Sequence, residues 1–218
     1  MPKKEKVKMG ELLSRSFEYK VNTEKEENEN RGILEGTPIV FNQKADIGGW
    51  FEETILPGAV DERILKDVAF FFNHDLNGKR LASTRNKTLE FNIDERGVHM
   101  RTELNLERSD SKDLYLAIKD GEINQMSFMF RVEDEEWIGL ESDYPTRIIK
   151  KIGYVQEVSA VNYPAYSGTE IYARANTSLD NDKKALDNAR AEVVDTTKEQ
   201  IKKEIDLRKR KFKFKNNL

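Results

Sequence analysis

Apolar positions recur every second residue early in the chain. Phe17, Tyr19 and Val21 alternate with Glu18 and Lys20, the period of a half-buried strand. The polar stretch "NTEKEENEN" reads as an acidic loop. It leads into "RGILEGTPIVFN", a second strand in which Gly36 and Pro38 predict a bend or an edge position. In "LPGAVDERILKD" the period changes: Pro57 suits a first helical position, and Val60 and Ile64 fall four apart, predicting a short helix. "VAFFFNHD" is a nearly continuous apolar run, as expected of a strand buried on both faces. It ends on His74. "TLEFNIDERGVHMRTELN" predicts a hairpin turning through Asp94 to Gly97, with His99 in its second arm.

Ser109 or Asp110 can cap a helix carrying Leu114, Ala117 and Ile118, which Gly121 ends. The chain then enters "NQMSFMF". Met126, Phe128, Phe130 and Val132 alternate with Ser127, Met129 and Arg131, so the most apolar face points inward and Ser127 lies on the other. A further hairpin is expected from "TRIIKKI" to "YVQEVSAVNY", ended by Pro164. Beyond about Arg174 the pattern fades: "ANTSLDNDKK" is linker-like, and over the remaining segment Leu186, Val193, Ile201 and Ile205 are only loosely periodic. These shifts divide the chain into a polar arm (1–13), a strand-rich domain (14–174) and a charged linker with a basic tail (175–218).

Charge sharpens that division. Charged residues make up 35% of the 218, well above the roughly 25% of an average soluble domain, and the excess gathers at the ends. Lys198 to Lys215 holds nine basic and three acidic residues in a chain whose net charge is −3, so the tail is set apart from the rest. With no cysteine, disulfides, thiolate metal sites and a cysteine nucleophile are excluded, and a reducing, cytosolic setting fits best. "MPKKEKVKMGELL" lacks the apolar segment of a secretory signal, and no 18-residue apolar run is present, so neither standard secretion nor a membrane span is expected. Two histidines, His74 and His99, argue against a histidine-rich zinc site. No phosphate-binding glycine motif or EF-hand spacing occurs.

Ser127 poses the question of function. A serine nucleophile needs a base within hydrogen-bond reach and a third group that orients the base. His74 is placed for such a base, at the end of a buried strand and before the polar loop "DLNGKR". His99 lies between Val98 and Met100 on a face shared with Gly97 and Arg101, which favours a structural role. "MSF" alone is far less specific than GxSxG, and serines within strands are common.

The wider pattern is more specific. "PGAV" at 57–60, "FFFNHD" at 70–75, "DLYLAIKDGEINQMSFMF" at 113–130 and "VQEVSAVNYPAY" at 155–166 together resemble the HK97-type prohead proteases of tailed bacteriophages, which are distantly related to herpesvirus assemblins. The likeness spans about Arg31 to Arg174. It implies an α+β, mainly β fold: an assemblin-like antiparallel β-barrel or curled sheet with surrounding helices, followed by a helical or disordered charged tail. It further implies a serine endopeptidase with His74 as base, Ser127 as nucleophile and, at the family's acidic position, Glu157 as third member. Asp75 is the alternative acid, but neighbours in extended chain point to opposite sides; its other role is to cap the turn after the strand. Ser159 reads as structural.

No cofactor or metal is implied. The implied partners are the major capsid protein with its scaffolding region and the protease itself, cut inside the prohead in the host cytoplasm; a homodimer is compatible with this, and a membrane or nucleic acid is not the expected partner. Where the family often has glycine two residues after the serine, this chain has Met129, on the same face as Ser127. That departure bears on the shape of the oxyanion site and pocket. A non-catalytic assembly module on the same fold and a nucleic-acid binder led by the basic tail are the competing classes.

Overall fold

The computed structural model describes residues 10–18, 22–25, 30–162 and 173–216. In chain order the strands are β1 (Leu12–Glu18), β2 (Asn22–Lys25), β3 (Arg31–Val40), β4 (Ala45–Ile47), β5 (Phe51–Ile55), β6 (Ala69–Phe72), β7 (Ala82–Ser83), β8 (Leu89–Ile93), β9 (Gly97–Asn105), β10 (Gln125–Ile138) and β11 (Thr146–Val161). Among the described residues two helices accompany them, α1 (Ser109–Lys119) and α2 (Ala173–Asn216). The chain is therefore α+β and mainly β, as expected.

The strands form two sheets. A seven-stranded sheet runs β1-β10-β11-β5-β4, with β6 paired to both β11 and β7; a four-stranded sheet runs β2-β3-β9-β8. The second is antiparallel throughout, and the predicted turn at Asp94–Gly97 joins β8 to β9. The first is mixed, because β5 and β6 both lie parallel to β11. One main core lies between them, drawing Leu34, Val98 and Leu104 from the smaller sheet, Phe70, Phe128 and Val158 from the larger, and Leu114 and Tyr115 from α1. The alternation along β10 holds: Met126, Phe128, Phe130 and Val132 are buried in this core, with Phe128 and Phe130 stacked 4.6 Å apart. Gly32 lets α1 approach, since a Cβ there would meet the Tyr115 ring at 2.6 Å.

Several expected elements differ. "LPGAVDERILKD" makes only a 3₁₀ turn at Glu62–Leu65, capped by the Asp61 side chain, because Val60 and Leu65 are held against the core by the strands around them and need no longer helix. The expected hairpin between "TRIIKKI" and "YVQEVSAVNY" is instead a single strand: β11 runs unbroken through Gly153 and Tyr154 and pairs with β10 along its length. Its partner supplies the register that turn residues would otherwise supply. Within "NTEKEENEN", Asn22–Lys25 is strand β2 rather than loop. Tyr19, Val21 and Pro164 lie outside the described residues.

No closed barrel forms among the described residues. The larger sheet is curled, and the hydrogen-bonding edge of β1 that would meet another strand meets a helix. The Ser14 N–H donates to Ser178 Oγ at 2.9 Å, and Asn181 donates to the Leu12 carbonyl at 3.1 Å. "ANTSLDNDKK" thus lies within α2, and Ser178, Asp182 and Leu186, spaced four apart along one helical stripe, are all buried. Leu186 packs with Ile47 and Phe51 in a second, smaller core. Further on, Arg190 donates to the carbonyls of Leu140 and Ser142, and residues 191–208 are exposed.

Arg15 and Arg147 share three carboxylates where sheet and helix meet. Arg15 forms a two-pronged pair with Glu53 and donates to both oxygens of Asp182, at 2.8 and 3.1 Å; Arg147 pairs with Glu53 at 3.2 Å, Asp182 at 3.4 Å and Glu135. Burial pushes the Glu53 carboxyl up, but Arg15 and Arg147 outweigh it and hold that group below its usual value. Asp182 goes the other way, since burial and the neighbouring Glu53 charge exceed the pull of the arginines. Such networks are costly to break singly. Asp182→Ala is expected to lower stability by about 3–5 kcal/mol, measured by urea unfolding of the full chain, because it leaves buried guanidinium charge under-compensated.

Candidate active site

The site occupies the face of the larger sheet opposite the main core. Register sets it out in rows: Ser127 pairs with Ser159 across β10 and β11, and Met129 pairs with Glu157 one step along. On the far side Met129 pairs with Ser14 of β1. Side chains directly opposite or two apart share a face, so Ser14, Ser127, Met129, Glu157 and Ser159 all project to the same side.

His74 reaches this face by an unusual turn. After β6, Asn73 and His74 both take left-handed backbone angles, φ 51° and 57°, which cost about 1 kcal/mol or more for a residue with a Cβ. The surroundings hold them there. Asn73 N–H donates to the Ala160 carbonyl at 2.9 Å, Asn73 Oδ1 accepts from Asn162 N–H at 2.9 Å, and His74 N–H donates to Ser159 Oγ at 3.2 Å. The turn swings the imidazole back over β11.

There His74 Nδ1 lies 2.6 Å from Glu157 Oε1. A carboxylate oxygen accepts, so Nδ1 carries a proton, and in the neutral ring Nε2 is the acceptor. Glu157 is fully buried, at 0% exposure, and its second oxygen accepts from the Ser159 hydroxyl. Ser159 therefore holds the His74 backbone and the Glu157 carboxylate at once. His74 Nε2 is 3.3 Å from Ser14 Oγ, Ser14 Oγ is 3.1 Å from Ser127 Oγ, and Ser127 Oγ donates to the Arg15 carbonyl at 2.8 Å. The described hydrogen bonds thus run from Glu157 through His74 and Ser14 to Ser127.

Of the candidates, His74, Ser127 and Glu157 are brought together. The Asp75 Oδ1 accepts from Asn77 N–H at 3.2 Å and caps the turn. His99 sits in the other sheet, with Nδ1 2.8 Å from Thr37 Oγ1 and Nε2 2.9 Å from Asp94, and it holds the Asp94 carboxyl well below the usual range, helped by the Arg96 N–H. Phe128 lies between two partner strands, opposite Arg15 of β1 and Val158 of β11. Among the described residues no group of three metal-ligating side chains gathers. Sequence reasoning missed Ser14. Nothing in "LLSRSFE" distinguishes its serines before the pairing of β1 with β10 is known. A cavity of about 440 Å³ is lined by Phe71, Phe72, Asp75, Lys79 and Leu114 among others, and none of His74, Ser127 and Glu157 lines it.

A buried carboxylate, a histidine whose far nitrogen accepts, and serine hydroxyls beyond it form the series on which serine hydrolases are built. The family of caudovirus prohead serine proteases matches residues 17–185, and the chain belongs to it. The prohead protease of Enterobacteria phage HK97 is 31% identical over 138 residues, 62% of this chain and 56% of that protein, so the chain spans little more than half the length of this curated relative. No solved structure matches.

The left-handed turn gives a test of how the site is held. Asn73→Gly is expected to be more stable than Asn73→Ala by about 1–2 kcal/mol, since both lose the side-chain bond to Asn162 but only alanine keeps the strained φ. Thermal unfolding of the two variants measures the difference.

Proposed function

We propose that this chain is the serine endopeptidase of a phage prohead, cutting the scaffolding region of the major capsid protein and itself during capsid assembly. The observation that carries the reading is the hydrogen-bonded series from buried Glu157 through His74 to the serine hydroxyls, set on strands inside the segment that matches the family. In this reading Ser127 Oγ attacks the peptide carbonyl carbon while its proton passes to His74 Nε2. The imidazolium returns that proton to the leaving amine as the carbon–nitrogen bond breaks. Water, with His74 again as base, then hydrolyses the acyl-enzyme. Glu157 fixes the tautomer and stabilises the imidazolium.

Ser127 is fully buried and its hydroxyl faces the Arg15 carbonyl. Acylation in this reading turns that hydroxyl toward His74 and admits substrate from the His74 side, the most exposed part of the series at 16%. The cavity lined by Phe72 and Asp75 on either side of His74 in sequence, with Asp110 and Asp113 also along its lining, takes a side chain of the bound peptide. The exposed stretch of α2 past residue 190 tethers the protease to protein within the prohead rather than to DNA. A distant kinship with herpesvirus assemblins belongs to the same reading, supported by the mainly β, curled sheet.

Co-expression with the cognate capsid protein, followed by mass mapping of products, tests this. Wild type is expected to cut the capsid protein near its N-terminus and to cut itself. Ser127→Ala and His74→Ala are expected to lose activity by ~10⁶-fold, and Glu157→Gln by ~10⁴-fold with folding intact. His99→Ala is expected to retain cleavage. An active Ser127→Ala variant removes the reading.

A further inference from the structure

We infer that Ser14 is a relay residue, passing the proton of the nucleophile to the base. The inference rests on the proposed roles of Ser127 and His74 and adds a group outside the segment that matches the family, which begins at residue 17. Its basis is position. Ser14 Oγ lies 3.1 Å from Ser127 Oγ and 3.3 Å from His74 Nε2, so one hydroxyl stands within hydrogen-bond reach of both the donor and the acceptor of the proton.

A hydroxyl is the side-chain group that can accept and donate at the same time without changing charge. With Nδ1 protonated against Glu157, Nε2 accepts the Ser14 proton. Ser14 Oγ then accepts from Ser127 once the Ser127 hydroxyl turns from the Arg15 carbonyl, 2.8 Å away. The step balances: Ser127 Oγ bonds to the electrophilic atom, its proton moves to Ser14 Oγ, and the Ser14 proton moves to His74 Nε2. Ser14 ends as it began.

The strand that carries Ser14 is held in place from outside. Its N–H donates to Ser178 Oγ at 2.9 Å, its carbonyl accepts from Arg15 Nη1 at 2.8 Å, and the Leu12 carbonyl accepts from Asn181 at 3.1 Å. Ser14 is 6% exposed. A small, buried hydroxyl on a backbone fixed at both donor and acceptor loses little freedom when it takes up a relay geometry.

The experiment tracks phosphonylation of the full chain by a fluorophosphonate, with the adduct located by mass spectrometry. The serine–phosphorus bond forms as fluoride leaves, and the proton takes the same path. Wild type is expected to be labelled on Ser127; Ser14→Ala is expected to be labelled about 100-fold more slowly, and Ser14→Thr, which keeps the hydroxyl, within about tenfold of wild type. The rate of wild type in mixed H₂O and D₂O is expected to bow with deuterium fraction, as for two protons in flight, and that of Ser14→Ala to be linear. Labelling of folded Ser14→Ala within about threefold of wild type, or a linear wild-type plot, overturns the relay while leaving Ser127 as nucleophile. A Ser14→Thr variant as slow as Ser14→Ala does the same. Label found on Ser14 itself, or retained in Ser127→Ala, overturns the nucleophile assignment beneath it.

Discussion

Arg15 is a buried cation held between Glu53 and Asp182, and the shape of the molecule turns on that contact. In register, Arg15 stands level with Val158 of β11, whereas Glu53 stands level with Arg147. In a flat sheet those levels would be roughly 36 Å apart at about 3.3 Å per residue. The contact exists because β10 and β11 bend back sharply, and their register shifts cluster between Met129 and Glu135. Bulges increase local twist, so the irregular middle of this hairpin is what folds one end of the sheet onto the other. The buried charges then require that bend, since straightening it would take the buried Arg15 guanidinium away from Glu53.

The same strand links the charge network to the site. Arg15 points to one side of β1 and Ser14 to the other, so a clamp on Arg15 sets the position of the hydroxyl beside His74. Helix α2 completes the clamp through Ser178, Asn181 and Asp182. A C-terminal helix thereby positions an N-terminal strand over residues from the middle of the chain. Its stripe of Ser178, Asp182 and Leu186 is two-thirds polar, which explains why hydropathy reads the segment as a linker. The burial is real, but it is achieved by ion pairing and hydrogen bonds.

What was legible in the sequence was local. The period of two along "MSFMFRV" placed Ser127 on the face away from the core, and the apolar run before "NHD" placed His74 at a strand end; both positions hold. Glu157, the acid that the family resemblance implies, faces the ring of His74. Other features depend on pairing between distant segments. Ser14 gains its neighbours only through β1 against β10, Arg15 only through α2 and β5, and β11 passes through Gly153 because β10 supplies its register. The left-handed pair at Asn73 and His74 was hidden for a related reason. Asparagine tolerates such angles, but a histidine in that conformation is maintained by contacts with β11, not by its own preference.

Those contacts show why Glu157, and not the adjacent Asp75, faces the ring. Asp75 is spent on the turn, accepting from Asn77 N–H, and it shares a chain segment with the histidine it would have to orient. Glu157 comes from a neighbouring strand fixed by pairing on both edges, to β10 and to β6. Its full burial removes water as a competitor for Nδ1, and Ser159 satisfies the remaining oxygen. Burying a lone carboxylate is strongly unfavourable; here the cost is offset by two directed donors. One of them, Ser159, also accepts from the His74 backbone, so the serine that bonds the carboxylate also maintains the backbone angle that aims the imidazole.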